Sequence, residues 1–313
     1  MNQLNKILEK QKILLLDGAL GTRLQEKGFD INDSLWSAKF LNENPKALQD
    51  IHTEYLNAGA DCIITSTYQA SIEGFVKKGF DEKTSRNLLI LSINLAKEAR
   101  DKFWEENRSQ NRIKPLVAAS IGPYGAYLAD GSEYRGNYKI SDEELKEFHK
   151  NRLEIVAKTN PDIFAVETIP SFKEAKIICE LLKPYKDISS WISFSAKDSS
   201  FTNAGDDIET CAKYLDSQEH ISAIGINCTS PQYISSLVKK IKKSSSKNVV
   251  VYPNGGAKYN PLTKQWENSP TDEKEFAKMA NLWKNEGANI IGGCCQTGPK
   301  EIKELRKTFY SNI

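Results

Sequence analysis

The chain has 313 residues, enough to bury a substantial core as one large α/β domain or two ordinary ones. Its 43 Lys and Arg against 41 Asp and Glu leave a net charge of +2, which excludes a long-range field that would recruit nucleic acid or an anionic membrane and makes small molecules the expected partners. The six cysteines follow no short regular framework, so free thiols or metal ligands are expected rather than a secreted disulfide scaffold.

The N-terminal stretch MNQLNKILEKQK is polar and charged, and the run ILLL after it is far shorter than a signal-peptide core. Nothing approaches the ~20 apolar residues of a membrane span, so a soluble, cytoplasmic protein is expected. Eight short, β-branched-rich runs then recur, each followed by a helical stretch. In chain order they are ILLLD from Ile13, DCIITST from Asp61, LVAAS from Leu116, DIFAVET from Asp162, SWISFSA from Ser190, AIGINCT from Ala223, NVVVYPN from Asn248 and ANIIGGCC from Ala288. Most are continuously apolar, as a parallel strand covered on both faces requires. Between them, Ser141 with Glu144 and Ser171 with Glu174 have capping-box spacing, and Ser230 before Pro231 fits an N-cap followed by a first-turn proline. Ile234, Leu237 and Ile241, like Ile302, Leu305 and Phe309, keep helical apolar spacing. Eight such units in one chain predict an α/β fold of the (β/α)8 TIM-barrel type, a single domain over residues 1–313, rather than a doubly wound sheet. The longest irregular stretches, 18–45, 122–140, 197–206 and 255–270, all follow strands and so lie at the C-terminal rim, where barrel enzymes keep their sites. Residues 105–115 precede the third strand and are expected to be a surface connection.

Cys228 ends the sixth run in GINCTSP, and Cys294 with Cys295 ends the eighth in GGCCQTGP, so all three reach the same rim. Three converging thiolates are a soft ligand set that selects zinc and leave one tetrahedral position open, as a catalytic site needs. Adjacent strand residues face opposite ways, so the strand must break before both cysteines reach one ion, and Gly292 and Gly293 are expected to supply the backbone freedom. Cys62, Cys179 and Cys211 sit inside apolar patterns and read as core residues.

With DGALGTRL, LWSAKFL, AGADCIITSTYQAS, LVAASIGPYGAYLADGSEYRG, FAVETIP, GINCTSP, VVYPNGG and GGCCQTGP in place, the chain resembles the homocysteine S-methyltransferase family along essentially its whole length. The resemblance implies a zinc-dependent (β/α)8 barrel with Cys228, Cys294 and Cys295 on the metal. The run YGAYLADGSEY resembles the single-domain branch that uses S-methylmethionine, with S-adenosylmethionine as a secondary donor. Betaine-using relatives share the zinc motifs and lack that run, while cobalamin-dependent methionine synthases need modules for which no residues are left over. A betaine-type enzyme and a non-catalytic thiolate zinc binder are the competing readings. The first loop reads DGALG where relatives commonly show DGGLG or DGGFA, so Ala19 bears on the local turn.

A free thiol with pKa ~8.5 is mostly protonated at neutral pH, and coordination to zinc removes that proton without a general base. The substrate's ammonium and carboxylate need partners, and the rim offers Asp17, Gly18, Trp36, Ser37, Thr65, Tyr68 and Glu167. Glu167 places a carboxylate at the end of an apolar strand, where either a ligand ammonium or a structural ion pair satisfies it. The family pattern assigns it to the substrate amino group. Asp17, a turn former by default, becomes an amino-group candidate through its match to the first-strand motif. For a sulfonium donor, Tyr124, Tyr127 and Tyr134 are aromatic candidates.

Overall fold

The computed structural model describes residues 3–108, 112–256, 258–260, 265–267 and 271–310. The apolar runs form strands β1 (Leu14–Leu15), β2 (Cys62–Ile64), β3 (Leu116–Ile121), β4 (Ile163–Ile169), β5 (Ser189–Phe194), β6 (Ala223–Asn227), β7 (Asn248–Tyr252) and β8 (Ile290–Ile291). They pair in parallel in the order β1, β8, β7, β6, β5, β4, β3, β2. The seam between β1 and β2 is joined by a bridge between Leu16 and Cys62, with Asp61 N donating to Leu15 O at 2.7 Å and Asp17 N to Cys62 O at 3.0 Å. This is the (β/α)8 barrel that the run spacing predicts.

Period-two alternation sends the strand side chains two ways. Leu14, Leu16, Cys62, Ala118, Ala165, Trp191, Val250 and Ile290 fill the barrel interior. Leu15, Ile63, Val117, Val166, Ile192, Ile226 and Ile291 face the helices, and there they meet Cys179 and Cys211. Both faces are therefore dry, which explains the continuous apolar runs. The polar N-terminal stretch supplies a feature not foreseen from sequence. Helix Gln3–Gln11 inserts Leu4 and Leu8 into the interior cluster, and Asn5 accepts a bond from Asn248 Nδ2, at the start of β7, at 2.8 Å. It thus closes the N-terminal end of the barrel.

The stretches expected to be irregular are partly ordered. Helix Leu20–Glu26, a 3₁₀ turn at Trp36–Lys39 and helix Phe40–Glu43 occupy 18–45, since Leu24, Leu35, Phe40 and Leu41 bury against the core. Helix Tyr124–Leu128 and a turn at Ser132–Tyr134 lie within 122–140. Within 255–270, Lys258–Asn260 pairs antiparallel with Gln265–Glu267, and 257, 261–264 and 268–270 lie outside the described residues, as do 109–111 of the surface connection. Ser141 and Glu144 form a full capping box. Ser171 caps Glu174 N, but the Glu174 side chain turns elsewhere, and Ser230 stands at the N-cap without a hydroxyl bond.

Candidate metal centre

At the C-terminal ends of β6 and β8, the Sγ atoms of Cys228, Cys294 and Cys295 lie within 4.8 Å of one another. Cys228 Sγ and Cys295 Sγ are 3.9 Å apart. A tetrahedral ion with Zn–S bonds of ~2.3 Å holds its sulfurs roughly 3.8 Å apart, so the spacing and the soft donors both suit zinc. The electrostatics point the same way. Sulfur contacts from Cys294 and Cys295, aided by the Tyr134 hydroxyl, lower the Cys228 thiol's pKa, while their contacts with Cys228 raise those of Cys294 and Cys295. The three sulfurs are thus electrostatically coupled to one another, as donors to one shared cation would be.

The route by which two adjacent cysteines reach one point differs from the sequence expectation. The strand does break, at Ile291, and Thr297 N and Oγ1 both bond Cys294 O to form a tight turn. Yet neither Gly292 nor Gly293 has positive φ; Gln296, at φ 64°, takes the left-handed position. The glycines serve close approach instead. A Cβ on Gly293 would stand 2.1 Å from Thr297 Oγ1, and one on Gly292 would stand 2.5 Å from Leu16 Cβ. On the opposite wall Cys228 itself is left-handed, at φ 49°. Ala19, at φ −73°, needs no glycine, and its N–H bonds Thr297 O at 2.9 Å.

Two buried carboxylates share this rim. Glu167 accepts bonds from the Ser120 and Tyr252 hydroxyls, and burial pushes its carboxyl up to about 7. Trp191 Nε1 donates to Tyr252 Oη at 3.1 Å, so the group that holds Glu167 is itself held. No lysine or arginine pairs with Glu167 among the described residues. Asp17 accepts from Ile64 N at 2.8 Å, where β1 and β2 part, and burial, joined by repulsion from Glu167, raises its pKa well above the usual carboxylate range. Residues beside the expected ones complete the frame. β4 loses register between Val166 and Ile169, and Thr168 adopts φ 60°, a strained value for a β-branched residue. Asn227 clamps it, accepting from Thr168 N at 2.7 Å and donating to Thr168 Oγ1 at 2.7 Å. Ser120, Thr168, Tyr252 and Asn227 escaped the sequence reading; their only signal there is adjacency to Glu167, Cys228 and the strand ends.

The other candidates divide by place. The Tyr68 hydroxyl bonds Thr168, and its ring meets the edge of Trp36 with centroids 6.2 Å apart. Ser37 is buried in the Trp36–Lys39 turn. Gly18 packs against Thr297, whose carbonyl would lie 2.7 Å from an added Cβ. The Thr65 hydroxyl accepts from Ser120 N at 3.1 Å and contacts Thr67 Oγ1 at 2.8 Å, tying β2 to β3. Among the three tyrosines, Tyr134 brings its hydroxyl to 3.4 Å from Cys228 Sγ. Tyr124 and Tyr127 instead pack on each other and on Phe148.

The loop carrying Tyr134 is pinned from below. Buried Glu174 accepts from Tyr124 N at 2.6 Å, from Tyr138 Oη at 3.1 Å and from His149 Nε2 at 2.9 Å. Arg152 donates to His149 Nδ1 at 3.0 Å and to Gly122 O, so the imidazole is neutral, with its proton on Nε2.

The family model described as Homocysteine S-methyltransferase matches residues 14–309. The chain is 50% identical over 307 residues to Homocysteine S-methyltransferase YbgG of Bacillus subtilis, covering 97% of each chain. The oxidized form of the homocysteine methyltransferase MmuM from Escherichia coli superimposes with a TM-score of 0.88 at 39% identity, over 98% of this chain and 99% of that one. The metallated form of the same enzyme gives a TM-score of 0.87 at 39% identity, over 97% and 99%.

Proposed function

Since the chain belongs to the homocysteine S-methyltransferase family and is thereby an enzyme that methylates homocysteine, we propose that it takes the methyl from a sulfonium, S-methylmethionine first and S-adenosylmethionine second, at a zinc held by Cys228, Cys294 and Cys295. The observation that carries this reading is the meeting of three Sγ atoms within 4.8 Å at the same barrel end as two buried carboxylates. When bound, zinc lowers the pKa of a substrate thiol, so the nucleophile forms without a protein base.

The protein's own residues then bind and orient. Glu167, fixed by Ser120 and Tyr252, receives the homocysteine ammonium, with Asp17 beside it. The Tyr134 hydroxyl donates toward Cys228 and tempers the charge on the sulfur cluster. Trp36 and Tyr68, in edge contact, and Tyr134 beside Cys228 would offer aromatic surface to the donor's sulfonium. A new S–CH₃ bond forms as the methyl's bond to the donor sulfur breaks, and the electron pair of that bond stays on the donor as a neutral thioether. An anion and a cation are consumed together, so a dry pocket favours the transition state over the solvated reactants. With S-methylmethionine, both products are methionine.

A donor panel tests the reading. S-methylmethionine is expected to give the highest kcat/KM, S-adenosylmethionine a lower one, and betaine and methyl-folate none, with turnover lost to a chelator and restored by zinc. Methyl-folate lacks a positive leaving atom, whereas the exclusion of betaine rests on the run from Tyr124 to Tyr134. Robust betaine turnover would move the chain to the betaine-using branch.

A further inference from the structure

The proposed reaction joins two amino acids, and each brings an α-ammonium to the same rim. Glu167 and Asp17, on the strand ends, account for one. The second acidic position is on the pinned loop. Glu133 stands in the Ser132–Tyr134 turn, directly before the tyrosine whose hydroxyl reaches Cys228. Its Oε2 is buried and has no hydrogen-bond partner. A buried carboxylate oxygen without a donor is costly, and such a group is explained by strain, an ion or a ligand.

The backbone that carries Glu133 is closely packed. A Cβ on Gly125 would stand 2.4 Å from Glu133 N, so the turn lies directly on helix Tyr124–Leu128. The nearest cation on the loop, Arg135, is turned to Asp130, with NH2 3.4 Å from its carbonyl and 3.8 Å from Oδ1, and to Ser132 Oγ at 3.3 Å. No ion pair to Glu133 occurs among the described residues. Its charge acts on Tyr68, as do those of Cys228 and Glu167, so the two acidic positions are near enough to the same tyrosine to be felt there. Burial, with repulsion from Cys228 and Asp130, raises the Glu133 carboxyl to about 7 despite its own backbone N–H and the charge of Arg135, which lower it.

We propose that Glu133 binds the α-ammonium of the methyl donor, so that the two amino-acid substrates are held by separate carboxylates, one on the strand ends and one on the rim loop. This rests on the sulfonium-donor reading above. The ammonium, rather than the sulfonium, is the fitting partner on energetic grounds. A carboxylate on the sulfonium stabilises a charge that disappears in the transition state and so opposes transfer. The ammonium keeps its charge throughout, so Glu133 holds ground state and transition state alike and its loss appears in KM rather than kcat.

The test compares Glu133→Gln and Glu133→Ala with the wild-type zinc enzyme, using S-methylmethionine and its deamino analogue, which keeps the dimethylsulfonium and the carboxylate. Both variants are expected to raise the KM and calorimetric Kd for S-methylmethionine by about 10- to 100-fold, the range of one charge-assisted contact. Zinc content, homocysteine Kd, kcat and kcat/KM for the deamino analogue should stay at wild-type values, and Glu133→Asp should recover part of the loss. Unchanged S-methylmethionine binding overturns the assignment, and an equal loss with both donors overturns it in favour of contact with the sulfonium. A wild-type enzyme that uses no sulfonium at all sinks the sulfonium-donor reading itself, a result distinct from either.

Discussion

At the residue scale, the sulfur cluster and Glu167 make separable predictions. Cys228→Ser, Cys294→Ser and Cys295→Ser are each expected to lower zinc content well below one ion per chain and to lose activity in parallel, because a neutral hydroxyl replaces a thiolate ligand. Metal analysis beside turnover checks this, and full activity in any one variant removes that residue from the ligand set. Glu167→Gln should keep its zinc yet weaken homocysteine binding by about 10- to 100-fold, since the amide retains the size but loses the charge-assisted contact. Unchanged homocysteine affinity returns Glu167 to a purely structural role. The candidates were legible in sequence through placement and resemblance: a lone cysteine reads first as core and Glu167 equally as an ion pair, but three cysteines on two strand ends and the family pattern set these residues apart. Their supports were not. Ser120, Tyr252 and Asn227 are ordinary strand residues until the barrel brings them beside Glu167 and Thr168.

At the element scale, the rim loop depends on a buried acid at the start of helix Phe172–Leu182, which follows β4. Glu174 holds Tyr124 N and the Tyr138 hydroxyl while taking a proton donor from neutral His149. Glu174→Gln weakens the accepting oxygens, and Glu174→Ala leaves those donors buried and unpaired at a cost of about 1–3 kcal/mol each. We expect a raised donor KM, faster proteolysis within 122–140 and little change in zinc content. A loop as protected as in the wild type would show that Glu174 does not anchor it. Sequence spacing assigned Glu174 to a capping box, which is half right. Ser171 does cap the helix, but a carboxylate that can satisfy three donors inside the core is drawn there instead of to its own helix end.

At the scale of the whole molecule, the barrel's stability should depend on pH through His52. This imidazole is buried in helix Pro45–Ala58 with neither nitrogen hydrogen-bonded, and burial lowers its pKa to about 4. The unfolded chain takes up this proton near pH 6.5 and the folded protein only near 4, so stability is full above the unfolded value and falls as pH drops between the two. The loss amounts to ~3 kcal/mol at most. His52→Leu should flatten the stability curve across that window in denaturant titrations, and an unaltered slope would show that His52 does not drive the acid loss. What the sequence by itself determined was the repeat and the chemistry: eight dry strands, their order along the chain, and three cysteines on two strand ends that share a rim. Those follow from local rules, since burial on both faces dictates composition and a strand's direction dictates which end its motif occupies. Tertiary structure alone decided how Cys294 and Cys295 turn toward one point, which polar residues brace Glu167, how Leu4 and Leu8 close the far end, and that Glu133 Oε2 is buried without a partner. These depend on backbone approach and on partners distant in the chain, which no local pattern encodes.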